Sequence, residues 1–426
     1  MKAKSKKIAL YKIFFISAVV FSAVSFLGPY QWKVYDGFGL FYFYLVNILF
    51  FAGLVFGYKV FYRNRSHVRA TIDTEKQKFF LLGISVISTL LAVYEIYSLV
   101  TYYGEGYMFL SGQYLERDQA RTLFDRVAVV GMQFGTASYI LFSFAQFKKT
   151  PFNYALAILG LFACGIYYLC IGNRFTLAAE LIIFLVCWRM RQGKKQEKTE
   201  KAQHISRIQK IAIVVLVVVV SFSFLAIFGS RNHTEVTVRY EFVPGDQQLK
   251  EGAVDLYDSN PNIWDPLFML VDYMGEAPFI FSGIWDNGLP EQTYWFVNTL
   301  RPIAQFGSVF GLPSYPDIVA EVGGPAKYSG IVFALIVDFG VILAPFVAFL
   351  FGVLFSYIES RRRESYLALS LYPCLVTCCI FAPIYYFNVG RIDFVVLVLL
   401  VIYPFLGLLK DPFRVDNRLM KSLDSK

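Results

Sequence analysis

Four carboxylates, Glu95, Glu180, Asp338 and Asp393, stand inside stretches that are otherwise apolar. A charge held in a bilayer is costly, so such groups pair with one another or line a wet cavity. Basic partners stand close by in the chain. Arg174 lies at a tight turn between two apolar runs, Arg231 follows a Val/Ile/Phe run, and Arg391 precedes Asp393 by two positions. Guanidinium stays charged and presents a planar fork of donors matched to phosphate oxygens. The set predicts a polar site in which arginines hold an anionic ligand, such as a diphosphate leaving group whose charge grows in the transition state. Arg239 and Arg301 belong to the same long polar segment and join Arg391 as substrate-binding candidates. His233, beside Arg231, is a candidate to bind a sugar hydroxyl or act on it as general base. The competing account has each arginine snorkelling at a helix end and each acid simply pairing with one.

Asp338 is the deepest of the four acids, about ten residues or ~15 Å into its run at 1.5 Å per residue. Pro345 follows and predicts a kink that opens space below the acid. Soluble-enzyme signatures are absent: the chain has no phosphate-binding glycine loop, no nucleophile elbow and no metal-ligand spacing. No cofactor is expected. The six cysteines, Cys164, Cys170, Cys187, Cys374, Cys378 and Cys379, all fall within apolar runs and read as small packing residues.

The elements that must position these groups are membrane helices. Of 426 residues, 57% are hydrophobic, 18% aromatic and only 17% charged. Runs of about 20 apolar residues read as transmembrane spans. Ten are expected, near 8–28, 38–60, 79–103, 126–147, 152–172, 175–190, 211–229, 329–358, 367–388 and 393–409. The fold class is therefore an all-α polytopic membrane protein, a single bundle over residues 1–426 with one long polar loop at 230–327. The first span, behind Lys2, Lys4, Lys6 and Lys7, is read as an uncleaved anchor rather than a signal peptide.

Charge sets the expected orientation. With both termini in the cytoplasm, 29 of the 40 Lys and Arg fall on the inner side, while 18 of the 31 acids fall on the outer side. That distribution is what the positive-inside rule demands. It reports topology and contact with anionic lipid rather than nucleic-acid binding, which needs basic residues gathered in a folded patch. The segment 189–210 becomes a basic cytoplasmic loop. Within the long outer loop, Leu267, Leu270, Val271 and Met274 recur at helical spacing. They predict a helix over 266–285, either lying on the outer leaflet with Trp264 and Trp285 as anchors or packed within a small outer domain.

Three motifs carry a family resemblance. Gly172-Asn173-Arg174-Phe175 opens a short span before a basic loop, Gly229-Ser230-Arg231 opens the long outer loop, and Ala326-Lys327-Tyr328-Ser329-Gly330 leads into Val337-Asp338-Phe339-Gly340. Together they resemble the Wzy-type polymerases of oligosaccharide repeat units (O-antigen polymerases), with Ala326 standing where that pattern has Asn. The resemblance implies a GT-C-like bundle in a bacterial inner membrane. It implies a metal-independent glycosyltransferase that moves a growing glycan from undecaprenyl diphosphate onto the next lipid-linked repeat unit. It also implies membrane lipid, a chain-length regulator and a flippase as partners. Arg174 and Arg231 match the motif arginines and would contact diphosphate or glycan, and Asp338 would orient an arginine or the acceptor. Two other activities stay open at this point: an O-antigen ligase and a glycan or lipid flippase.

Overall fold

A computed structural model describes residues 9–61, 74–103, 123–170, 175–195, 248–289, 292–303, 330–386 and 391–406. These are nearly all helical. In chain order the helices are α1 (Leu10–Leu27), α2 (Gly37–Phe61), α3 (Glu75–Tyr103), α4 (Leu123–Phe144), α5 (Pro151–Cys170), α6 (Phe175–Lys195), α7 (Glu251–Ser259), α8 (Pro261–Gly275), α9 (Ala277–Asn287), α10 (Gly330–Arg361), α11 (Tyr366–Phe381) and α12 (Ile392–Phe405). A two-residue antiparallel ladder joins β1 (Tyr30–Gln31) to β2 (Gln248–Leu249), with Tyr30 opposite Leu249.

Among the described residues, six helices are long and apolar enough to cross a membrane: α1 to α5 and α10. Three others stand at expected spans but fall short of that standard. Helix α6 ends in the basic run Arg189, Arg191, Lys194 and Lys195. The expected span 367–388 is the 16-residue α11, and 393–409 is the 14-residue α12. At 1.5 Å per residue they reach only ~24 and ~21 Å, against a hydrocarbon core of ~30 Å. Proline explains both stops. Pro383 follows the end of α11 and Pro404 sits in the last turn of α12, and neither can supply a helical N–H. The expected span 211–229 lies outside the described residues, as does most of 189–247.

The distribution of side-chain size identifies the solvent. On α10, Ala344, Ala348, Gly352 and Ser356 form a buried stripe, while Ile342, Phe346, Leu350 and Leu354 form an exposed one. A helix in water puts its large apolar residues inside. Here the small residues face protein and the bulky ones face out, as in a helix packed among lipid tails. The inward stripe brings α10 against α2 almost backbone to backbone. A Cβ on Gly352 would lie 2.3 Å from the Phe50 carbonyl oxygen, and one on Gly53 would lie 2.1 Å from that of Phe349. Ser356 Oγ donates to the Leu54 carbonyl at 2.7 Å. The same device joins α3, α4 and α5. A Cβ on Gly135 would meet the Gly160 carbonyl at 2.2 Å, and Ser138 Oγ donates to the Leu81 carbonyl at 2.6 Å.

Contacts between helix ends show the helices running alternately up and down. On one face the Leu10 amide donates to Glu359 Oε2 (3.2 Å), Gln77 Nε2 to the Leu406 carbonyl (2.8 Å) and Tyr366 hydroxyl to the Leu141 carbonyl (2.6 Å). On the other face, Lys250 Nζ donates to the Gly28 carbonyl at 2.7 Å and so caps the C-terminal end of α1. There too the Ile331 amide donates to the Ala382 carbonyl at 3.2 Å. We call the second the loop face, because β2, α7, α8 and α9 gather there.

Two expectations change in detail. The helix expected over 266–285 is broken at Glu276 into α8 and α9. Helix α9 packs into the bundle: Phe281 is fully buried against Tyr42 and Phe43, and Trp285 lies against Tyr42. The break in α10 also falls elsewhere than at Pro345. Gly340 adopts φ 76°, ψ 166°, outside the helical range and favouring glycine. Pro345 is accommodated instead: the Val341 carbonyl, which proline's missing N–H leaves without a helical donor, is taken by the Tyr42 hydroxyl.

Candidate functional site

Asp338 is fully buried two residues before the break in α10. Its partners come from 292–303, which lies along the first half of that helix. Oδ1 accepts from the Asn298 amide (2.8 Å) and Asn298 Nδ2 (3.1 Å). Oδ2 accepts from the Thr299 amide and Thr299 Oγ1, both at 2.7 Å. Because the Thr299 hydroxyl proton points at the carboxylate, Tyr386 hydroxyl is the donor to Thr299 Oγ1 at 2.7 Å. Beside the break at Gly340, the Val337 carbonyl accepts from the Tyr294 amide at 2.9 Å. Phe339 is met edge-on by Phe296 at 4.9 Å and 90°. Phe296 itself is held at φ 66°, uncommon for a residue with a Cβ and a sign that its surroundings over-determine it.

Arg301 follows Thr299 by two positions, so the Asp338 anchor also fixes the segment that carries it. Arg391 approaches from the α11–α12 connection, the same connection that supplies Tyr386. It sits just before α12 in the left-handed region, φ 63°, with its guanidinium 5.3 Å from the Tyr168 ring and 5.4 Å from the Phe394 ring. The charges of Arg301 and Arg391 both act on the carboxyl of Asp393. Both oxygens of that carboxyl are buried and neither has a hydrogen-bond partner. Arg301 and the Arg391–Asp393 pair, two candidate segments far apart in sequence, thus come within electrostatic reach of each other at the loop face, and Thr299 and Tyr386 tie these segments to Asp338. Arg174, Arg231, His233 and Arg239 lie outside the described residues.

Glu180 and Asp338 are placed differently from the arginine-facing expectation. Glu180 is buried in α6 and turns to the backbone of α5, accepting from the Gly165 amide at 3.1 and 3.0 Å and from Thr136 Oγ1 at 3.4 Å. Gly165 must lack a side chain here, since a Cβ would stand 2.2 Å from Glu180 Oε2. Glu95 is buried in α3. Asp338 itself accepts from amide groups and one hydroxyl rather than from an arginine. A further buried acid lies outside the expected spans: Glu359, at the face opposite the loop, is 2% exposed, caps the start of α1 and lies 3.9 Å from Arg362. Sequence reasoning placed it in a connecting loop because α10 runs three residues further than its apolar composition suggests. Asn298, Thr299 and Tyr386 were also missed, and nothing in their local sequence marks them.

Among the described residues, no three His, Cys, Asp or Glu side chains gather as a metal site, and all six cysteines are free thiols. No family model matches the chain, and neither a curated protein nor a solved structure resembles it. Fold and composition define the class as a helical membrane protein.

Proposed function

We propose that the chain is a membrane glycosyltransferase that polymerises undecaprenyl-diphosphate-linked oligosaccharide repeat units into surface polysaccharide, whether O-antigen, capsule or exopolysaccharide. What supports the reading is that Arg301 and Arg391, carried on separate segments, both act through their charge on the buried carboxyl of Asp393 at the loop face. Two guanidinium groups on separately anchored segments suit an anion with several oxygens, and they strengthen as negative charge develops on a departing diphosphate. The charge distribution of the sequence makes the loop face the outer side of a bacterial cytoplasmic membrane, with both termini inside. A lipid-linked donor is already activated there and requires no nucleotide-sugar domain. By the topology expected from the sequence, the motif arginines Arg174 and Arg231 fall on the same side and would complete the set.

The flippase alternative calls for ionisable groups along the whole depth of a passage. Glu359 supplies buried charge at the far face, but it caps the start of α1 and sits beside Arg362, which is a structural arrangement. The test is genetic and chemical. Deleting the gene should leave surface polysaccharide at one repeat unit, and Arg174→Lys or Arg231→Lys should abolish chain extension while the protein accumulates normally. Full-length chains left unattached to lipid A core would indicate a ligase instead. Normal chain length in the deletion would remove the proposal.

A further inference from the structure

The carboxyl of Asp393 is the group at this site with acceptor capacity left over. Asp338 has four donors on two oxygens and is saturated. Asp393 has none: both oxygens are buried without a partner. The amides nearest to it, its own and that of Phe394, act on it electrostatically but lie outside hydrogen-bond geometry. Arg301 and Arg391 also act on it, yet neither guanidinium donates to it. A buried carboxylate left unsatisfied is costly, and such a group in a native fold signals something that fills the gap.

The filling group must be a donor, because an ionised carboxylate only accepts. An ammonium would stand beside two guanidinium groups and be repelled by both. A hydroxyl meets neither objection. The geometry points to Asp393 as the residue that receives a hydroxyl of the same ligand whose anionic group Arg301 and Arg391 hold. The ligand class is then an anionic, hydroxylated molecule, and a sugar joined to phosphate is the simplest member. This assignment rests on the anion site proposed above and specifies which part of the ligand faces which residue.

Binding to the purified full-length protein in lipid nanodiscs separates the two parts, with glucose 1-phosphate and inorganic phosphate as probes. The intact protein should prefer glucose 1-phosphate. Asp393→Ala should weaken glucose 1-phosphate about tenfold, the scale of one hydrogen bond to a charged group. It should also tighten inorganic phosphate, since a repelling charge has gone, so the preference inverts. Asp393→Asn, which keeps an acceptor oxygen and nearly the same volume, should retain the preference while tightening both anions. Arg301→Ala and Arg391→Ala should weaken both probes together. A parallel change of both probes in Asp393→Ala would overturn the assignment, as would an intact protein that binds neither. A protein that shows the preference but forms no polymer in cells would refute the polymerase proposal and leave Asp393 in this role.

Discussion

Asp338 and Asp393 are both acids near the loop-facing end of apolar helices, yet the structure gives them opposite circumstances. Asp338 accepts two backbone amides, an amide nitrogen and a hydroxyl, and so fixes the turn that carries Arg301. We expect Asp338→Asn to lower stability, because its new NH₂ group faces donors and leaves one buried amide without an acceptor, at about 1–3 kcal/mol. Asn298→Ala removes a single side-chain donor and should cost about 1 kcal/mol. Thermal unfolding of the two variants in the same detergent checks the order; equal midpoints would contradict it. The sequence marked Asp338 as important through its burial in an apolar run. It did not show the partners, because Asn298 and Thr299 are some forty positions away and polar residues in a loop carry no local sign of what they bond.

At the scale of elements, helix contacts follow from where side chains are missing. Gly53 and Gly57 on α2 meet Gly352 and Ser356 on α10, each pair spaced four residues apart, so one face of each helix is nearly bare backbone. Gly53→Ala places a methyl against the Phe349 carbonyl, forces the helices apart and should destabilise by about 1–3 kcal/mol. Gly83 on α3 is the control: a Cβ there meets nothing within 4 Å. Gly83→Ala should leave stability unchanged or raise it by roughly 0.5–1 kcal/mol through helix propensity. Comparable losses in both variants would show that helix packing is not the deciding term. Helix existence was legible from apolar runs. Helix ends were less so: α11 stops before Pro383, and α10 continues past its apolar stretch to Arg361 because Glu359 finds the Leu10 amide. Pro345 was an obvious candidate for the break, but Tyr42, some three hundred positions away, supplies the missing donor, and Gly340 breaks the helix instead.

For the whole molecule, alternation of helix direction places β2, α7, α8, α9 and the arginine cluster on one face and Glu359, Gln77 and Tyr366 on the other. In the orientation proposed from the charge distribution, the first face is external. In a variant lacking the six native cysteines, a thiol reagent confined outside the cell should label Glu251→Cys and not Lys76→Cys, both positions being exposed. Labelling of Lys76→Cys alone would invert the orientation, and with it the proposed side of the chemistry.

By itself the sequence determined that this chain lives in a membrane, roughly where its helices run, and which acids and arginines stand in or beside its apolar stretches. Those are properties of short stretches, since hydropathy and charge act on the residues that carry them. Tertiary structure decided which acid is satisfied and which is without a hydrogen-bond partner, and that Arg301 comes within electrostatic reach of Asp393. Those outcomes depend on which segments, far apart in the chain, the fold brings side by side, and no short stretch carries that information.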